Sequence, residues 1–368
     1  MNRFLSQKFR FYSFISITLL LFVHGYNLNE GYLTPYSSVN EPLTFTTFIE
    51  YFLANGALRF RIPMLFIMSG YIFALQDKKP YFERIKKRVS TLIVPFLIWS
   101  AVGLAITYLW QQFPVTARAV REASLDQLGD NRPYNEIGWE GILYRWLVRP
   151  VAFHLWFIRS LFIYNLLYPV IKWAVTKYPA AWFVLIFLFW HTIFSFMFIE
   201  GQGFFFFSFG VWLNKSNYPI HRTPKWFSHY LSWLFFIGLS VIKTFMAFEI
   251  EPDNAVKVYV LYALHDITIG AGVIAIWFGA DPVVKYLMDK KWFEWASAFS
   301  FIIYALHVPL IQYTMRLAFI YWHNIPNYRL LTYIVVPAAI LFFCIAMGAL
   351  FRNLFPKAYR LATGGRGF

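Results

Sequence analysis

The chain has 368 residues, of which 59% are hydrophobic and only 14% charged, and its mean hydropathy is +0.50. Soluble domains carry roughly 25% charged residues, so this composition excludes a water-soluble fold. The net charge of +15 would point to nucleic acid in a soluble protein, but here it is spread over loops between apolar runs, which excludes that reading.

The first run, Phe11 to Leu28, holds a single ionisable side chain, His24. It lacks a small-residue cleavage site and further apolar runs follow, so it reads as a span rather than a leader. A helix needs about 20 such residues to cross the hydrocarbon layer. Ten spans are predicted, at 11–28, 58–75, 89–112, 150–171, 181–198, 203–214, 229–248, 256–278, 296–319 and 330–351. The fold class is therefore an all-α integral membrane protein, with about ten transmembrane helices in one bundle forming a single domain over 1–368. Tyr81–Lys87 reads as a short basic helix at the membrane face, and Val115–Asp130 as a surface helix in the long loop from 113 to 149. Cys344 is the lone cysteine and lies in an apolar run, so no intrachain disulfide forms.

With the N-terminus in the cytoplasm, twenty-one of the 33 Lys and Arg residues fall on the cytoplasmic side. The acidic loop Glu249, Glu251, Asp253 then falls outside. This is the positive-inside pattern. It predicts a multi-pass protein with both termini in the cytoplasm, and membrane lipids rather than nucleic acid as its surroundings.

An ionisable residue facing lipid costs several kcal/mol, so charges within spans point inward or to water. His24 lies near the outer end of span one, Arg59 and Arg61 at the start of span two, His154 and Arg159 in span four, and His307 in span nine. At that depth His24, Arg59, His154 and His307 are expected to converge on one cavity. Each has a structural alternative: interfacial histidines bonded to carbonyls, arginines reaching the headgroups, and basic loops that only set topology. His265–Asp266 reads as a structural hydrogen-bonded pair, and His191 and Lys243 as structural.

Four stretches carry a resemblance. They are the first span ending at His24; Arg59-Phe-Arg-Ile-Pro63-Met-Leu-Phe66-Ile-Met-Ser69-Gly70-Tyr71, followed by Arg84-Ile-Lys-Lys87-Arg88 and Leu92-Ile-Val-Pro95; His154-Leu-Trp156-Phe-Ile-Arg159; and Phe301-Ile-Ile-Tyr304-Ala-Leu-His307. In order and spacing the chain resembles the membrane-bound acyltransferase-3 family, which includes bacterial O-antigen and peptidoglycan O-acetyltransferases. Two features depart from the family pattern. Ser13 stands where a basic residue often lies eleven positions before the histidine, with Arg10 nearest, and the Arg-x-x-Arg motif is approximate.

The resemblance implies transfer of an acyl group, acetyl in the first instance, from acyl-CoA to a hydroxyl of a glycan or lipid-linked sugar at the bacterial inner membrane. An alcohol needs a base as it attacks, and histidine titrates near neutrality. An arginine can stabilise the oxyanion that forms. His24 is the expected general base and Arg59 its electrostatic partner. His154, Trp156, Arg159, His307 and Ser69 are expected to meet substrate. Arg84, Lys87, Arg88 and Arg10 are expected to hold coenzyme A phosphates. No metal is called for. The alternative is a transporter or flippase for a polysaccharide or lipid-linked sugar, against which the lack of an internal repeat weighs.

Overall fold

Prolines and an Asn-Gly pair punctuate the apolar runs and decide where helices stop. The computed structural model describes residues 3–26, 38–125, 130, 132–196, 198–250 and 254–367. The described chain is predominantly helical, with one two-stranded antiparallel hairpin, Ser195–Phe196 with Ile199–Glu200. In chain order the helices are α1 (Arg3–His24), α2 (Phe45–Tyr51), α3 (Arg61–Ala74), α4 (Tyr81–Arg88), α5 (Val94–Gln111), α6 (Pro114–Ala123), α7 (Gly138–Leu147), α8 (Trp156–Leu166) and α9 (Tyr168–Lys177). They continue with α10 (Pro179–His191), α11 (Gly201–Lys215), α12 (His229–Glu249), α13 (Ala255–Gly279), α14 (Asp281–Met288), α15 (Lys291–Ser297), α16 (Ser300–Trp322), α17 (Tyr328–Leu354) and α18 (Pro356–Thr363).

A proline ring clashes with the carbonyl four residues earlier and donates no hydrogen bond. Pro63 does this to Arg59, and the backbone leaves the helix at Leu58–Phe60 before α3 begins. Pro95 does it to Thr91, inside a widened π-turn, Val89–Ile93, that joins α4 to α5. Pro309 forces the preceding residue out of the helical region, and Val308 sits at φ −105°, ψ 131°, bending α16 just after His307. A second π-turn, Phe52–Ala57, carries the Asn55-Gly56 pair.

Among the described residues five helical stretches are long and apolar enough to cross a membrane: Phe45–Ala74, Tyr81–Gln111, His229–Glu249, Ala255–Gly279 and Tyr328–Leu354. The pair α15 and α16, bent by 59°, makes a sixth if taken as one span. Helices α12 and α17 expose Leu234, Phe235, Ile242, Phe342, Phe343 and Leu350; a soluble monomer does not leave continuous apolar faces of this kind. The second predicted span therefore starts earlier than expected, at Phe45 rather than residue 58, which moves Arg59 from its end to its middle. The basic helix expected at Tyr81–Lys87 is α4. The expected Val115–Asp130 helix is α6, which ends at Ala123; residues 126–129 lie outside the described residues, as do Glu251 and Asp253 of the acidic loop.

The chain divides into two compact units. The first holds Met1–Arg84 and Ile163–Ser297, the second Ile85–Phe162 and Ala298–Phe368. In the first unit α3 and α11 make the closest approach. A Cβ on Gly70 would lie 2.1 Å from the Phe207 carbonyl oxygen, and one on Gly210 2.1 Å from that of Ile67. Small residues let membrane helices touch backbone to backbone, which is what the Ser69-Gly70-Tyr71 segment achieves. The aromatic core beside them stacks Phe66, Phe204 and Phe207 around Tyr164, with centroids 5.5 to 5.6 Å apart. Helix α1 is anchored by Lys8, fully buried, whose Nζ lies 2.7 Å from both the Asp281 carboxylate and the Trp277 carbonyl.

In the second unit α16 packs on α17, α5 and α6. Polar side chains tie its elements together: Thr107 with Tyr313 (2.9 Å), Ser100 with the Trp146 carbonyl (2.6 Å) and Trp99 with the Ala362 carbonyl (2.9 Å). Within a dry interior each unmade hydrogen bond of this kind would cost about 1–3 kcal/mol.

Candidate active site

In the first unit the centre of the polar network is Asn55, in the π-turn. Its side-chain amide donates to the Tyr26 hydroxyl at 3.3 Å, and its side-chain oxygen accepts from the Arg59 guanidinium. Its main-chain carbonyl accepts from Lys243 of α12, a fully buried ammonium that also donates to His265 Nδ1 of α13 at 2.7 Å. The widened turn makes this possible by projecting a polar residue from an otherwise apolar stretch, a recurrent use of π-bulges. Gly56 allows the approach of α12, since a Cβ there would already lie 3.3 Å from that of Ser240. His24 closes α1 two residues before Tyr26 and is 8% exposed. The end of α1 and Arg59 thus share one network through Asn55. Arg61, 2% exposed, donates to the Leu58 carbonyl and lies inside the packing rather than at a headgroup surface.

Sequence reasoning missed Asn55 and read Lys243 as structural without naming its partners. It also paired His265 with Asp266. Adjacent residues on a helix point about 100° apart, and these two serve different partners: His265 meets Lys243, and Asp266 meets His191 at 2.9 Å. The signal that was available is the Asn-Gly dipeptide, a break within an apolar run.

The second unit brings His154 and His307 together. Their rings have centroids 4.6 Å apart, and Tyr304 lies against His154 at 4.9 Å while donating to the His154 carbonyl at 2.7 Å. His154 comes from a 3₁₀ turn, Phe153–Leu155, and both histidines are buried. His307 Nδ1 faces two main-chain carbonyls, of Ile303 at 2.9 Å and Tyr304 at 2.8 Å. A nitrogen between two acceptors carries the hydrogen, which leaves the lone pair of the neutral ring on Nε2. Arg159 donates to the Val148 carbonyl at 2.5 Å, and Trp156 is half-buried at the start of α8.

The basic residues expected to hold coenzyme A differ in their surroundings. Arg84 is buried, donates to Asp77 and to the Phe73 carbonyl, both at 2.9 Å, and stacks 4.0 Å over the Phe73 ring. Asp77 also accepts from Tyr168 (2.6 Å), Lys172 (2.9 Å) and Lys215. Burial opposes its ionisation, but Lys215, Tyr168 and Lys172 hold the carboxyl well below the usual range. Lys87 is exposed and Arg88 half-buried. Arg10 donates to Ser297 at 2.8 Å and to the Glu294 carboxylate at 3.0 Å. Ser69 is half-buried beside Gly70. Among the described residues no group of three His, Cys, Asp or Glu side chains is placed to hold a metal ion.

Long apolar helices that enclose histidines, arginines and a lysine define a membrane protein with a polar interior. The chain belongs to the acyltransferase family 3, whose domain model, described as an acyltransferase domain, matches residues 9–349. It is 24% identical over 325 residues to succinoglycan biosynthesis protein ExoH of Rhizobium meliloti (strain 1021), an overlap covering 86% of this chain and 82% of that protein. No solved structure gives a significant match.

Proposed function

We propose that the protein transfers an acyl group, acetyl in the simplest case, from acyl-CoA to a hydroxyl of a glycan or lipid-linked sugar. The observation that carries the reading is the family match over nearly the whole chain. The relative named for succinoglycan biosynthesis supports a glycan acceptor. In this reading the chain crosses the bacterial inner membrane about ten times with both termini in the cytoplasm. The placement of Lys and Arg supports that orientation.

His24 removes the proton of the attacking hydroxyl and Arg59 stabilises the oxyanion. The shared network from Tyr26 through Asn55 to Arg59 supports this, because it ties the end of α1 to that guanidinium. Lys87 and Arg88 hold donor phosphates, while Arg84 positions their helix against Asp77. Arg10 steadies α1 through Ser297 and Glu294. Ser69, His154, Trp156, Arg159 and His307 meet substrate.

A second assignment has its own support. His307 has its Nδ1 hydrogen fixed by two carbonyls, the tautomer a general base at Nε2 requires. The two are separated by His24→Gln and His307→Gln. Gln keeps a hydrogen bond and takes no proton in this range, and loss of a general base lowers the rate about 10²–10⁴-fold. The first assignment expects His24→Gln to lose that much kcat with stability unchanged and His307→Gln to retain turnover. Near-normal turnover of His24→Gln overturns it, and a dead His307→Gln alongside moves the base to His307.

A further inference from the structure

Two apolar hollows in the first unit share one exposed tryptophan. The first is a cavity of about 310 Å³ lined from α1 (Phe9), α3 (Met64), α11 (Phe209), α13 (Ile274) and the loop between α11 and α12 (Ile220, Trp226). Among the described residues no charged side chain lines it. The second is a groove of about 640 Å³ along α12, running from Trp226 past Leu231 and Phe235 to Ile242. Gly238 deepens the groove, since no atom lies within 4 Å of a Cβ built there. Trp226, 67% exposed, lines both, so the two hollows adjoin at this residue.

The loop that carries Trp226 is held down by α13: Trp277 Nε1 donates to the Ile220 carbonyl at 2.8 Å. The cavity is therefore built into the packing. Ile274, 41% exposed, stands on an outward face of α13, a helix long and apolar enough to cross a membrane. Leu231, Leu234 and Phe235 are exposed along α12, another such helix. Both hollows thus open toward hydrocarbon rather than water. An apolar cavity stays dry and takes an apolar guest. One of about 150 Å³ holds benzene, so a cavity of 310 Å³ takes a chain of roughly a dozen carbons.

Charge at the shared residue specifies the rest of the guest. Lys225 directly precedes Trp226, Arg222 lies two residues after Ile220, and both are exposed. No Asp or Glu occurs from Gly201 to Phe248, and among the described residues neither cation pairs with a carboxylate. Basic side chains at a membrane face attract anionic headgroups. We propose that this face of the first unit holds an anionic phospholipid with two chains, one in the cavity and one along α12, and its phosphate at Arg222 and Lys225. A guest with a single chain would leave one hollow empty. The inference stands independently of the acyl-transfer reading.

The test is photolabelling of the full chain in nanodiscs of neutral lipid. The probes are phosphatidylglycerol and phosphatidylcholine with a diazirine in one or the other acyl chain, added below saturation, and tandem mass spectrometry locates the label. Phosphatidylglycerol should label both the cavity at Ile274 and the groove at Leu234. A Lys or Arg near an anionic surface contributes about fivefold in binding, so Arg222→Gln combined with Lys225→Gln should lower that labelling about thirtyfold and leave phosphatidylcholine unchanged. Both residues are exposed, so the fold does not depend on them. Ile274→Trp, which fills the cavity mouth, should remove the cavity label and keep the groove label; Ile274→Phe serves if the larger ring prevents folding. Equal labelling by the two lipids, or label spread over every exposed face, means bulk lipid only and overturns the proposal. Label in the groove alone overturns the two-chain occupancy. Displacement by a polyprenyl phosphate but not by unlabelled phosphatidylglycerol assigns the cavity to an isoprenoid carrier and overturns the phospholipid.

Discussion

Substituting Gly70 by Ala tests the packing that holds the first unit together. The added Cβ would lie 2.1 Å from the Phe207 carbonyl oxygen, and ordinary contact begins at 3.4 Å. Helices α3 and α11 must therefore part by about 1.3 Å, the difference between those distances. The obstacle is backbone on both sides, so no side chain can swing away. A gap of 0.5–1 Å already forfeits roughly a quarter to a half of each dispersion contact along the seam. Overpacking of this type costs about 1–3 kcal/mol, and Gly70→Ala belongs at the upper end. Gly210→Ala should cost about as much, because its Cβ meets the Ile67 carbonyl oxygen at the same 2.1 Å. The double variant should cost clearly less than the sum, since helices already parted admit the second methyl. Gly238 and Gly270 are the controls. No atom lies within 4 Å of a Cβ at either, so Ala there should be neutral or slightly stabilising through helix propensity. Denaturant unfolding of the detergent-solubilised protein, followed by tryptophan fluorescence, reads all five variants. Wild-type stability for Gly70→Ala, or strict additivity in the double variant, would refute the reasoning.

Three further predictions follow from other parts of the molecule. Lys243→Met removes the donor that serves the Asn55 carbonyl and His265; unfolding should show a loss of about 1–3 kcal/mol for the groups left unsatisfied, and an unchanged midpoint would contradict the network. Burial raises the Glu200 carboxyl from 4.5 to about 7 while it caps α11 through the Gly203 N–H at 2.9 Å. The folded state then binds the extra proton, so this stability is fully present below pH 4.5 and is lost as pH rises through 7; the decline across that window should vanish in Glu200→Gln. Single cysteines at the exposed Lys79 and Lys357, in a Cys344→Ala background, should react with a membrane-impermeant thiol reagent only after the cytoplasmic face is opened. Labelling in intact cells would reverse the orientation.

The parts of the fold legible in the sequence are those governed by local chemistry. Long apolar runs gave α5, α12, α13 and α17 close to their true ends, and α4 was visible as a cluster of basic residues. The second span was expected from residue 58 with Arg59 at its start, whereas a π-turn carries Asn55-Gly56 inside one helical stretch that begins at Phe45. The pairing of Lys243 with His265 was out of reach for a different reason. A helix that is apolar all round has no pattern to say which face meets a neighbour, so rotation about the helix axis was not readable. The proximity of His154 to His307 followed from depth alone and is realised within the second unit.

The most direct test of the central claim is transfer of label. The purified protein in nanodiscs would be incubated with acyl-CoA carrying an isotopic acyl group and with polysaccharide or lipid-linked oligosaccharide from the cell envelope, then the glycan separated and counted. The account predicts ester-linked label on glycan hydroxyls, released by mild base, in proportion to free coenzyme A formed and absent in His24→Ala. Folded protein that leaves the glycan unlabelled while moving it across a sealed bilayer would contradict the account and favour transport.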